Sequence, residues 1–115
     1  MRLRRALSLL ETAAQLSPPD ADALVCEARA LAQSVVGEIV EPFDLGHLPE
    51  RERFGGALHQ AWESLAASAP HMDGPERDKI NQANRLVGRA GMLTQPSWPE
   101  HMWPHVPAAD ARRVS

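Results

Sequence analysis

Cysteine is nearly missing from this chain. Cys26 is the only one in 115 residues, which excludes an intramolecular disulfide and a zinc site built from several thiolates. A reducing cytoplasm is accordingly the compartment the sequence points to. Lysine is equally scarce, with Lys79 alone beside eleven arginines; together with abundant alanine and proline this reads as the codon bias of a GC-rich bacterial genome or its phage. Long apolar runs are missing too. No window approaches the roughly 18 apolar residues of a membrane span, and the arginine-containing start is broken by Glu11, Thr12 and Gln15 before it could serve as a signal peptide. No membrane association is expected.

Chemical signatures are absent as well. The chain holds no Gly-x-Ser-x-Gly elbow, phosphate loop, dinucleotide fingerprint or His-Glu-x-x-His element. Cys26 falls within an apolar helical pattern, where a cysteine behaves as a small inert hydrophobe. Carboxylate pairs such as Glu38/Glu41 and Glu50/Glu52 read as solvated helix ends. His59 and Glu63 share a helix face, but Pro104 between His101 and His105 prevents a helix from presenting that second pair together. No catalytic residue, metal or cofactor is expected.

What remains is the composition of one small folded domain: 43% hydrophobic, 23% charged, net charge -3. The charge is unevenly spread. Arg2, Arg4 and Arg5 open the chain without an acid, residues 11–50 set eight acids against Arg29 alone, and the remainder is nearly balanced.

Helical periodicity dominates, and no segment alternates like a strand. Leu3, Leu7, Leu10 and Ala14, flanked by Ala6, Ala13 and Leu16, predict a helix over 2–16 that ends at Ser17-Pro18-Pro19. Asp20 or Asp22 then caps a second helix running to about Glu41, where Pro42 stops it. Its two adjacent stripes, Leu24/Ala28/Leu31/Val35/Ile39 and Val25/Ala32/Val36/Val40, make it the candidate for the most buried element. A third helix over about 49–67 carries Phe54, Leu58, Ala61, Trp62 and Leu65. Gly55-Gly56 within it invites a kink or close approach by another helix. Asp73 and Glu76 have capping-box spacing for a fourth helix, about 74–90, which buries Ile80, Ala83, Val87 and Ala90 and stops at Gly91. Equivalent helices recur at roughly 47–53 residues, so the 34-residue tetratricopeptide period is absent. The expected fold is all-α, a four-helix bundle or two stacked helical hairpins over residues 1–91.

Residues 92–115 differ in kind. Pro96, Pro99, Pro104 and Pro107 forbid a continuous helix, and Trp98 and Trp103, two of the three tryptophans, lie among them. A linker would be polar and Gly/Ser-rich. This segment is instead expected to be an irregular strap that docks its rings, with 108–115 fraying.

Trp98, Met102, Trp103 and Val106 are therefore the candidate partner-binding or strap residues. The expected function is a non-catalytic regulatory, adaptor or accessory subunit working through a protein partner or self-association. The alternative is a nucleic-acid-associated protein using Arg77, Arg85 and Arg89, which with Asn81 form a four-residue ladder on one side of the fourth helix; the acidic body argues against it. A small enzyme or metal-binding protein ranks third.

Overall fold

The computed structural model describes residues 2–95, the side chain of Arg2 excepted. Four helices and one short 3-10 turn account for most of them: α1 (Arg2–Leu16), α2 (Pro19–Val36), α3 (Glu50–Ser68), the turn Ala69–His71, and α4 (Gly74–Thr94). There is no strand among the described residues, and none of their helices is long and apolar enough to cross a membrane. The all-α bundle expected from the periodicity is what forms.

α1 packs on α2 and α3, and α4 packs on the same two, while the backbones of α1 and α4, like those of α2 and α3, do not adjoin. The helices thus stand at the corners of a square in the order α1, α2, α4, α3. Contacts between ends fix the directions. Arg4 near the start of α1 meets Glu38 just past α2 at 3.3 Å, Lys79 near the start of α4 donates to Ser34 near the end of α2 at 2.9 Å, and Gln95 beyond α4 lies against Gly55 near the start of α3. Every pair of neighbours is antiparallel. Since α2 and α3 are diagonal, residues 37–49 must cross the bundle from one end to the other.

The crossover begins earlier than the sequence pattern predicts. α2 ends at Val36 and not near Glu41, because Gly37 takes a left-handed C-cap (φ 74°) and donates its N–H to Gln33. A glycine without a Cβ adopts that conformation at little cost, so it stops the helix five residues before Pro42 could. Ile39, assigned to a buried stripe, consequently lies 92% exposed. The start of α2 is also displaced: Pro18 is the cap residue and Pro19 opens the helix, leaving Asp20 and Asp22 in the first turn, where they favour the positive end of the helix dipole.

From Gly37 the chain climbs along α1. Ser8 donates its hydroxyl to the Glu41 carbonyl, the Phe43 N–H donates to the Ser8 carbonyl at 3.1 Å, and Thr12 Oγ1 donates to the Phe43 carbonyl at 2.7 Å. The Arg5 guanidinium lies 4.8 Å from the centre of the Phe43 ring, a cation–π distance. α1 is therefore covered by α2, α3 and the crossover, and it buries Leu3, Ala6, Leu7, Leu9, Leu10, Thr12 and Ala13. α2 buries only Ala21, Val25, Ala28 and Ala32. The most buried element is α1, contrary to the expectation for α2. Removing the Thr12 hydroxyl should expose the cost of this seam: Thr12→Val keeps the shape but leaves the Phe43 carbonyl without its donor, and a loss of about 1–3 kcal/mol is expected in urea unfolding.

α3 runs through Gly55-Gly56 as a continuous helix. The two glycines serve close approach, but not by another helix. A Cβ on Gly56 would lie 2.8 Å from Leu48 Cδ1 of the crossover, and one on Gly55 would lie 2.7 Å from the Gln95 Oε1. Both non-helical ends of the adjoining segments are thus seated on α3. At the start of α4, Asp73 occupies the predicted cap position, yet its side chain makes no cap hydrogen bond; Gly74 at φ 58° turns the entry out of capping-box geometry. At the other end α4 passes through Gly91 to Thr94. Pro96 accounts for the stop, since it biases Gln95 to the extended conformation observed there (φ -120°, ψ 104°).

Candidate interaction surface

The face of α4 turned toward α3 carries a groove. Trp62 from α3 and Asn81, Asn84, Arg85, Gly88, Arg89 and Met92 from α4 line a hollow of about 470 Å3. A second hollow adjoins it, sharing Asn81 and Asn84 and reaching Arg77 and Pro70. The floor is apolar or small, with Gly88 buried and the Trp62 ring half-buried. Arg85 and Arg89 form an exposed rim one helical turn apart. Asn84 Oδ1 is buried and has no hydrogen-bond partner among the described residues, an arrangement that costs free energy unless a donor arrives.

At the end of α4, where the groove closes on Met92, two apolar side chains stand largely exposed. Met92 is 66% and Leu93 61% exposed. Met92 lines the end of the groove beyond Trp62, and Leu93 follows it round the last turn of α4 to the point where the chain leaves the helix. Exposed apolar clusters at the edge of a groove mark contact surfaces more often than isolated ones do.

The three arginines proposed for phosphate binding all lie on α4 and are exposed, but they do not act as one stripe. Arg77 folds back over the end of α3: its Nε donates to the Ala69 carbonyl at 3.3 Å and its terminal nitrogen to that of Pro70 at 3.4 Å. Only Arg85 and Arg89 flank the same groove. At the opposite end of the chain Arg4 and Arg5 border a shallow concavity with Ile39, Val40 and Phe43, and both are engaged, Arg4 by Glu38 and Arg5 by Gln60 and Phe43.

The remaining reactive side chains are dispersed. Cys26 is half-buried on α2, with its sulfur 3.7 Å from the Asp22 carboxylate. His59 and Glu63 approach to 3.6 Å at the predicted i,i+4 spacing. Among the described residues no three His, Cys, Asp or Glu side chains are grouped to hold a metal ion. Trp98, Met102, Trp103 and Val106, with His101 and His105, fall outside the described residues.

The sequence pattern placed the helix end at Gly91 and so assigned Met92 and Leu93 to the strap, whereas they form the last turn of α4. The lining was partly legible: Asn81, Arg85 and Arg89 belong to the four-residue ladder, and Met92 continues the same face. Compared with protein-family models, with characterised proteins and with solved structures, the chain matches none.

Proposed function

We propose that this chain is a non-catalytic regulatory, adaptor or accessory subunit that acts through protein–protein contacts, with another protein or with a second copy of itself. The observation that carries the reading is the apolar edge at the end of α4: Met92 and Leu93 stand exposed beside a groove floored by Trp62 and Gly88. Solvated surfaces place such side chains singly; adjacent in sequence, with Met92 lining the groove, they suit a partner surface. The pair Met92→Ser/Leu93→Ser tests it in the full chain. A stoichiometric partner recovered from the native host with the wild type and lost with the variant, or a dimer in sedimentation lost with the variant, supports the reading. A monomer with no stoichiometric partner counts against it.

The nucleic-acid alternative is weakened by the way Arg77 is tied to the end of α3. Binding through Arg85 and Arg89 would fall steeply with salt, and replacing either would flatten the dependence by about one unit of counterion release. No binding to DNA or RNA at physiological salt is expected in filter or anisotropy assays; salt-sensitive binding abolished by Arg85→Gln/Arg89→Gln would reverse the ranking.

A further inference from the structure

We infer that the groove between α3 and α4 is the seat of the chain's own segment 96–107, held in cis with Trp98 near Met92 and Trp103 near Asn81 and Asn84. Four observations converge on this occupant. The first is where the segment starts. Gln95 is extended and tucked against Gly55, so the chain leaves α4 at the end of the α3–α4 seam, on the same face as the groove. In the sequence Gln95-Pro96-Ser97-Trp98 a proline stands second of four, an order that favours a reversal of the chain.

The second observation is length. Asn81 and Met92, both in the groove lining, are separated by about 16 Å along the helix axis at 1.5 Å per residue. Trp98 and Trp103 are five residues apart, and a proline-rich chain rises about 3.1 Å per residue, so the two rings are about 15 Å apart when extended. The rings therefore match the two ends of the groove when the segment runs back along α4.

The third is chemistry. Proline-rich segments dock in aromatic-lined grooves, where prolines stack on rings and little conformational entropy is lost; Trp62 supplies that ring. An indole N–H is the kind of donor that the buried Asn84 Oδ1 requires. The fourth is charge. Glu100 lies between the two tryptophans in sequence, and Arg85 and Arg89 lie between the two ends of the groove.

This inference deepens the proposed contact surface, since the docked segment and the Met92–Leu93 edge would form it jointly, and it rests on that reading only for the use of the surface. The docking is measured on the isolated chain, so a failure of either is seen separately. A nitroxide attached to Cys26→Ala/His105→Cys in the full chain reports it by nuclear magnetic resonance. Amide signals of Asn81, Asn84 and Arg85 and of 62–66 should lose most of their intensity while those of α1 keep theirs. Moving the label to His101→Cys should shift the broadening toward Gly88 and Met92. Both spectra must match the wild type once the nitroxide is reduced, so that the fold is shown intact.

Broadening that is absent, or centred on α1 or the 37–49 crossover, would overturn the inference. So would broadening in a mixture of isotope-labelled wild type with unlabelled spin-labelled chain, because that would place a second copy's segment in the groove. A pattern that fails to move between the two label positions would reject the register.

Discussion

Leu9→Ala is expected to cost about 2–5 kcal/mol, as much as Leu7→Ala. The amphipathic stripe of α1 gives no reason for this, since Leu3, Leu7 and Leu10 form the face and Leu9 stands to its side. In the structure Leu9 is as inaccessible as Leu7. It lies one helical step from Ser8 and is followed by Thr12, the two residues that hold the crossover. Removing three carbons there leaves a cavity between α1 and neighbours pinned by hydrogen bonds, so the site has little freedom to collapse. Urea unfolding of the two variants side by side provides the measurement. A cost for Leu9→Ala of only a few tenths of a kcal/mol would mean that α1 is not enclosed at Leu9 in solution as it is in the structure.

That difference between Leu7 and Leu9 shows where the sequence was legible. Local periodicity reports which side of a helix is apolar, and it placed Leu58, Ala61 and Leu65 on the inner face of α3 and Ile80, Ala83 and Val87 on that of α4. It reports nothing about coverage by an irregular segment. Thr12 is held by a stretch whose own path is set by Gly37, a left-handed residue that a stripe reading passes over, and Leu9 is buried outside the stripe that periodicity marks. The misassigned end of α2 follows from the same cause, because Val40 and Ile39 continue the apolar pattern after the backbone has left the helix. The glycine pair in α3 was recognised as a place of close approach, but the approaching groups, Leu48 and Gln95, come from segments distant in sequence and could be identified only with the topology in hand.

The candidate site divides in the same way. Asn81, Arg85 and Arg89 were legible as a ladder, because four-residue spacing is a local property. The role of Trp62 as part of the groove floor depends on the antiparallel register of α3 and α4, which puts it at the level of Gly88. The exposure of Met92 and Leu93 depends on a helix that continues through Gly91. Glycine stops a helix only where a left-handed residue is adopted; in α4 the buried Gly91 stays inside the packed helix and the stop passes to Pro96.

Trp98→Ala and Trp103→Ala are each expected to destabilise the intact chain by up to about 3–5 kcal/mol, the range of large-to-small changes at packed sites. The ceiling has a physical origin. A side chain in the bundle core cannot escape when its neighbour is cut away, but a strap that loses an anchor can leave its groove, so the loss cannot exceed the free energy of docking. Two indole rings bury roughly 150–250 Å2 each, and ordering the backbone opposes this with about 1–2 kcal/mol per residue, reduced by prolines that restrict the chain beforehand. Docking that results from such opposing terms is shallow enough for one missing ring to undo it. The double variant should therefore cost no more than the worse single one, a non-additivity typical of groups that act as one unit. Thermal melts of the three variants, with acrylamide quenching of the remaining tryptophans, provide the measurement. Costs that simply add would place the rings in separate packed sites; unchanged melting with freely quenched rings would remove the segment from the groove and leave Trp62, Met92 and Leu93 as the surface a partner must cover.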